Sequence, residues 1–289
     1  MVAQAWDTGP VKVPVMATIR EACGQVFGRF GFFISLALMP ALAVLVLRLA
    51  IAAKSFAAAP DLAGGHHPAG VPWWLSLLVS IVSVLIYNIF LVRWHQTVLY
   101  GAPRDYGSPS FLQSYRRFVL YSLITYGVIL ALLIGVGASS LVAAGFSAFG
   151  LSRAGLGGLA IGAGIGLIGV SVWLLRCALI FPSAAYGQPL GFGEAWHRMR
   201  GNAWRFLGAS LLVALILFGV TFVPSFVIGV VDGFAKALTK HAGGPSPSFL
   251  MVTMVVRLFV DVAAAFIGMA LGASTLSIFY RRIVLRSPN

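Results

Sequence analysis

Six long apolar stretches constrain this chain more than any other feature: about residues 31–53, 73–93, 118–145, 157–176, 206–231 and 257–280. About 20 helical residues at 1.5 Å rise cross a hydrocarbon core of about 30 Å. Water is absent from that core, so each peptide N–H and C=O must be satisfied within its own segment, and a helix does this. The expected fold is all-α, a polytopic transmembrane helix bundle with six spans. Apolar residues make up 60% of the 289, and charged residues only 9%. A soluble domain averages about 25% charged residues. No segment between spans is long enough for a soluble domain, so residues 1–289 are expected to form a single integral membrane domain.

The formal net charge of +13 would suit a nucleic-acid binder, but the distribution of charge argues otherwise. Segments 1–30, 93–117, 176–205 and 281–289 hold fourteen of the 20 Lys and Arg residues, and all fall on the side that carries both termini. The opposite side holds Arg48, Lys54, Arg153, Lys236 and Lys240, and Arg257 opens the last span. Short loops rich in Lys and Arg remain cytoplasmic, which predicts a bacterial inner-membrane protein with both termini inside. The basic excess then attracts anionic lipid headgroups, each cation contributing about 1 kcal/mol near the surface. Nucleic-acid recognition would want aromatic residues interleaved on an exposed basic platform, and here the aromatics occupy apolar helix positions.

Two cysteines, Cys23 and Cys177, fall on the predicted cytoplasmic side, where thiols stay reduced and no disulfide is expected. The first apolar run is longer than a signal-peptide core and begins after about 30 residues, so it reads as a span.

One plan recurs three times, over 14–93, 109–176 and 189–282: a proline, a short amphipathic stretch, a span, an outer loop, a second span and an arginine. The prolines are Pro14, Pro109 and Pro189, and the arginines Arg93, Arg176 and Arg281. Three helical-hairpin repeats of one orientation account for this order. Convergence of hairpins on Pro and Arg at such places accounts for it equally well. The amphipathic stretches are 15–30, 110–118 and 192–207. Each sets apolar and aromatic residues against a basic face, as suits a helix at the headgroup boundary or one packed on the bundle. Arg198, Arg200 and Arg205 are the candidate headgroup contacts.

The stretch from Leu175 to Gly208 contains Leu-Arg-Cys-Ala-Leu-Ile-Phe-Pro-Ser-Ala-Ala-Tyr-Gly-Gln-Pro-Leu and then Glu-Ala-Trp-His-Arg-Met-Arg-Gly-Asn-Ala-Trp-Arg-Phe-Leu-Gly. It resembles uncharacterised bacterial six-span integral membrane proteins that are similar to the membrane domain of glycerophosphoryl diester phosphodiesterases. The resemblance implies a membrane domain without the soluble phosphodiesterase domain, for which this chain is expected to have no room. It carries over no functional residues.

Signals for chemistry are sparse. Gly164, Gly166 and Gly169 match G-x-G-x-x-G, but the preceding strand and the following acidic residue that dinucleotide binding needs are missing. Ala154, Gly158, Gly162 and Gly166 instead form a small-xxx-small stripe for close helix packing. Arg257 and Asp261 stand four apart near the start of the last span and are expected to pair at the outer interface, with Asp261 the sole carboxylate in any span. Arg48 is expected to snorkel outward, Pro40 and Pro224 to kink their spans, and Tyr87, Asn88 and Thr125 to hydrogen-bond between helices. Trp73, Trp74, Trp94 and Tyr280 fall at span ends, where an aromatic belt is expected. His66, His67 and His241 could share a metal, but no completing ligands are spaced for it. His95 and His197 lack a nucleophile.

Neither a cofactor nor a metal is expected, nor enzymatic activity. The leading expectation is a non-enzymatic protein that associates with anionic lipid, as a homo-oligomer or in a larger membrane complex. The alternative is a transporter or channel for a small or lipid-like solute.

Overall fold

The computed structural model describes residues 12–57, 71–103, 109–148, 153–239 and 246–285, in which every regular element is a helix. The elements are α1 (Val15–Phe27), α2 (Phe30–Ala57), α3 (Trp73–Tyr100), α4 (Pro109–Ala148), α5 (Arg153–Cys177), α6 (Ile180–Tyr186), α7 (Phe192–Arg198), α8 (Ala203–Thr239) and α9 (Pro247–Tyr280). A π-helical turn, Arg281–Leu285, follows α9. Among the described residues, six segments are long and apolar enough to cross a membrane: Phe30–Lys54, Trp73–Tyr100, Ser110–Gly135, Gly166–Tyr186, Ala203–Thr239 and Ser248–Leu285. By helix length and hydropathy, the chain is a multi-pass integral membrane protein.

The chain divides into two compact units. The first comprises Met1–Val15, Arg104–Gly208 and Leu276–Asn289. Aromatic contacts organise it: Phe118 lies on Phe181 at 5.3 Å, Tyr121 meets Phe192 at 5.7 Å, and Trp173 stacks on Phe192 at 5.7 Å. The end of α9 joins it through Phe206–Phe279 at 5.3 Å and Tyr186–Tyr280 at 6.0 Å. The second unit comprises Met16–Pro103 and Ala209–Thr275. In it α2 and α3 form an antiparallel hairpin, with Phe33 edge-on to Phe90 at 6.2 Å and to Trp94 at 5.7 Å. Phe266 of α9 packs on Phe90 at 4.9 Å and on Tyr87 at 5.4 Å. These ring pairs give fixed registers between helices that lipid-like side chains alone would leave loose.

Several local expectations need correction. Helix α3 does not end at Arg93 but continues to Tyr100, because Trp94, His95, Gln96, Thr97 and Val98 are all buried. Gly101, at φ +83°, ends it by donating its N–H to Thr97 O at 2.8 Å, a left-handed cap that glycine adopts readily. Trp94 is therefore a core residue and not part of an interfacial belt; its Nε1 donates to Ser274 Oγ at 2.8 Å. Tyr280 is likewise fully buried. Stretch 192–207 is not one amphipathic helix: α7 stops at Arg198, and a turn through Gly201 at φ +83° leads into α8. Stretch 110–118 is the opening of α4 and continuous with its span. Helix α8 runs eight residues beyond position 231, so Asp261 is not the sole carboxylate in a span, and Asp232 joins it.

Candidate membrane-interface site

Arg200 lies in the turn between α7 and α8, and Trp204 in the first turn of α8. The fold of 175–208 explains why both are presented outward. Ser183 Oγ accepts from Leu190 N at 3.1 Å and donates to Ile180 O at 2.7 Å, which folds the Gly187-Gln188-Pro189 corner back on α6. Tyr121 of α4 donates to Leu190 O at 3.4 Å, fixing the same corner to its neighbour. Ala195 and Met199 are buried, which seats α7 and leaves Arg200 exposed. Asn202 then accepts the Val13 N–H at 3.0 Å, and Arg205 Nη1 donates to Val13 O at 3.1 Å. The stretch from Leu175 to Gly208 is thus largely a folding motif, its Ser, Asn, Pro and small residues building corners.

Trp204 is 77% exposed. An exposed indole suits a headgroup boundary, since its body is apolar and its N–H polar. In the second unit, Leu211, Leu215, Phe218, Phe222 and Phe226 of α8 are all exposed. Their spacings of four, three, four and four place them near one helix face. The rings of Phe218, Phe222 and Phe226 stack in sequence at 5.2 and 5.9 Å.

The candidate headgroup cations differ in kind. Arg200 is exposed. Arg198 Nη2 bonds Glu194 Oε1 at 2.6 Å, so part of its charge is matched within α7. Arg205 is half-buried and holds the Val13 carbonyl. Arg176 lies with its guanidinium 4.5 Å from the centroid of the Trp196 ring, a cation–π contact that fixes α7 against the last turn of α5.

Gly166 belongs to α5, where an added Cβ would meet Leu132 of α4 at 3.9 Å, an ordinary contact. Gly158 and Gly162 lie in the same helix, but their surroundings are outside the described residues. A closer approach occurs at Gly268 of α9, where a Cβ would stand 3.1 Å from Leu217 Cδ1 of α8. The sequence carried a signal for it: Gly268 and Gly272 are four apart. Arg257 and Asp261 are both exposed on α9. Arg198 and Glu194 of α7 form an ion pair.

Arg48 departs from expectation. Its Nη2 donates to the phenol oxygen of Tyr87 at 3.4 Å, so it is turned into the α2–α3 hairpin and does not reach outward. Tyr87 thereby makes an interhelical hydrogen bond. Thr125 is half-buried and Asn88 buried. Pro40 and Pro224 lie inside α2 and α8, which run through them. Gly164, Gly166 and Gly169 all fall within α5, with no strand before them. His66, His67 and His241 lie outside the described residues. Among the described residues no three His, Cys, Asp or Glu side chains gather as metal ligands. Cys23 and Cys177 are free thiols, and burial pushes the Cys23 thiol up from its ordinary range.

No protein-family model matches the chain, and neither a curated protein nor a solved structure is similar to it at a significant level.

Proposed function

We propose that the chain is a non-enzymatic integral protein of the bacterial inner membrane that associates with anionic lipid, as a homo-oligomer or within a larger membrane complex. The observation that carries this reading is the pairing in sequence, within the first unit, of exposed Arg200 with Trp204, 77% exposed. A cation beside an interfacial indole meets a headgroup phosphate. Both termini are placed on the cytoplasmic side, where fourteen of the 20 Lys and Arg residues then lie. The test is native mass spectrometry of the gently extracted protein: retained phosphatidylglycerol in preference to phosphatidylcholine supports the reading, and equal retention of the two overturns it.

A second reading, a transporter or channel for a small or lipid-like solute, is favoured by the Arg48–Tyr87 bond. Transporters bind substrates near the membrane midplane, and a cation turned inward within a span is what that chemistry uses.

A further inference from the structure

Ring contacts fix how deep Arg48 reaches. Phe33 meets both Phe90 and Trp94, so in the antiparallel hairpin residue 33 is level with about residue 92 and Arg48 with about residue 77. The Arg48 and Tyr87 backbones are therefore about ten residues apart in level, yet their side chains bond at 3.4 Å. Both lean toward the N-termini of their own helices, Arg48 back toward Phe30 and Tyr87 back toward Trp73. Trp73 and Trp74 are exposed at the head of α3, where an interface is expected. Tyr87 follows Trp73 by 14 positions, and its lean brings the phenol oxygen to about 15 Å below that level, half of a core of about 30 Å. The guanidinium is thus held near the middle of the span.

A charge at that depth is costly, and it persists where an anion, a polar group or water meets it. The guanidinium has five N–H donors and no acceptor. Tyr87 takes one of them through its oxygen, which leaves the phenol O–H as a further donor. Among the described residues, no other hydrogen-bond or ion-pair partner of Arg48 is present. Among the described residues, the carboxylate nearest in depth is Asp261. The Tyr87–Phe266 and Trp94–Ser274 contacts put it close to that level on α9. Asp261 is exposed, however, and shares the helix face of Gly268, seven positions on, which turns toward Leu217 of α8. Phe266, which faces Tyr87, lies about 140° round the same helix.

We propose that Arg48 and Tyr87 form a mid-membrane binding site for a phosphate-bearing ligand. The guanidinium supplies a planar fork of donors that matches phosphate oxygens, and the phenol O–H converges on the same anion. The ligand is either a free phosphate compound or a phospholipid headgroup drawn toward the site. The site uses none of the residues of the Arg200–Trp204 surface, so the two fail independently.

The test is thermal melting of the full-length protein. One arm compares inorganic phosphate with chloride at equal ionic strength, in detergent. The other compares nanodiscs of phosphatidylglycerol with nanodiscs of phosphatidylcholine. The wild type should gain stability from phosphate if the source is a free solute, and from phosphatidylglycerol if it is a headgroup. With the lipid arm run in an Arg200→Gln, Trp204→Ala background, so that the surface contact contributes nothing to it, Arg48→Gln should abolish that gain in either arm, and Tyr87→Phe should weaken the apparent affinity roughly tenfold. Arg200→Gln should leave the phosphate arm unchanged. Where Arg48→Gln fails to fold, Arg48→Lys keeps the charge without the fork and should bind phosphate roughly tenfold more weakly. No gain in either arm, or a gain that persists in both Arg48 variants, overturns the site. So does an Asp261→Asn variant that removes as much stability as Arg48→Gln and adds nothing to it, since Asp261 would then be the partner of Arg48.

Discussion

The backbone N–H of Val13 donates to Oδ1 of Asn202 at 3.0 Å, joining positions 189 residues apart in the first unit. Val13 is fully buried, so its N–H has no access to water. Asn202→Ala should therefore lower stability by about 1–3 kcal/mol, the cost of a buried donor left without an acceptor. Asn202→Asp, which keeps the oxygen, should cost less. Melting temperatures of the three proteins in one detergent check this, and an Ala variant as stable as the wild type would show the tie to be incidental.

The bond from Trp94 to Ser274 belongs to the second unit and separates two effects. Trp94→Phe keeps most of the ring that packs on Phe33 and Phe90 but loses the N–H donor. It should cost about 1–2 kcal/mol, whereas Trp94→Ala should cost about 3–5 kcal/mol through the cavity. Equal losses in a denaturation series would mean that the hydrogen bond, and not the ring, dominates.

Gly268 permits the approach of Leu217, whose Cδ1 would lie 3.1 Å from an added Cβ. The contact is with the end of a flexible side chain, so Gly268→Ala should be tolerated to within about 1 kcal/mol. Gly268→Leu should separate α8 from α9 and lower the melting temperature, and Leu217→Ala should partly restore it. A Leu variant that melts like the wild type would place this face of α9 against lipid.

What the sequence made legible follows from where the physics is local. The six spans and the basic asymmetry need only hydropathy and charge, both properties of short windows. The limits of the helices need tertiary contacts. Arg93 looked like a terminus because charge usually marks one, but burial of Trp94 to Val98 carries α3 onward. Arg48 was read as snorkelling because sequence gives a residue's position on the helix but not the direction of its side chain. Only the antiparallel register of α2 and α3 brings Tyr87 within reach. Arg198 was grouped with Arg200, although Glu194 stood four residues before it, a spacing at which an intrahelical bridge could have been expected.

Orientation is open to direct measurement. In a background with Cys23 and Cys177 replaced by Ala, single cysteines at Gly65, Ser152 and Gly243 should label from outside intact cells. Single cysteines at Gln113 and Arg200, both exposed, should label only after permeabilisation. The reverse pattern would invert the assignment of both termini.

Arg198 and Arg200 give the sharpest test of lipid association, because they share a sign but not a state. Arg198 is bonded to Glu194 at 2.6 Å, whereas Arg200 is exposed in the turn before α8. A cation near an anionic surface contributes about 1 kcal/mol, so Arg200→Gln should weaken retention of phosphatidylglycerol about fivefold. Arg198→Gln removes a charge already partly matched and frees Glu194, which repels headgroups. Its effect on the net charge of the surface is the same, but the loss from direct contact is smaller. Both effects should shrink as salt is raised, since exposed charges are screened beyond about 8–10 Å. Trp204→Ala should weaken retention at every salt concentration, because an indole acts through apolar area and its N–H and not through charge. Lipid retention measured across a salt series for the three variants distinguishes these terms. If Arg200→Gln and Trp204→Ala both retain lipid as the wild type does, the α7–α8 turn is not a lipid contact and the association reading fails.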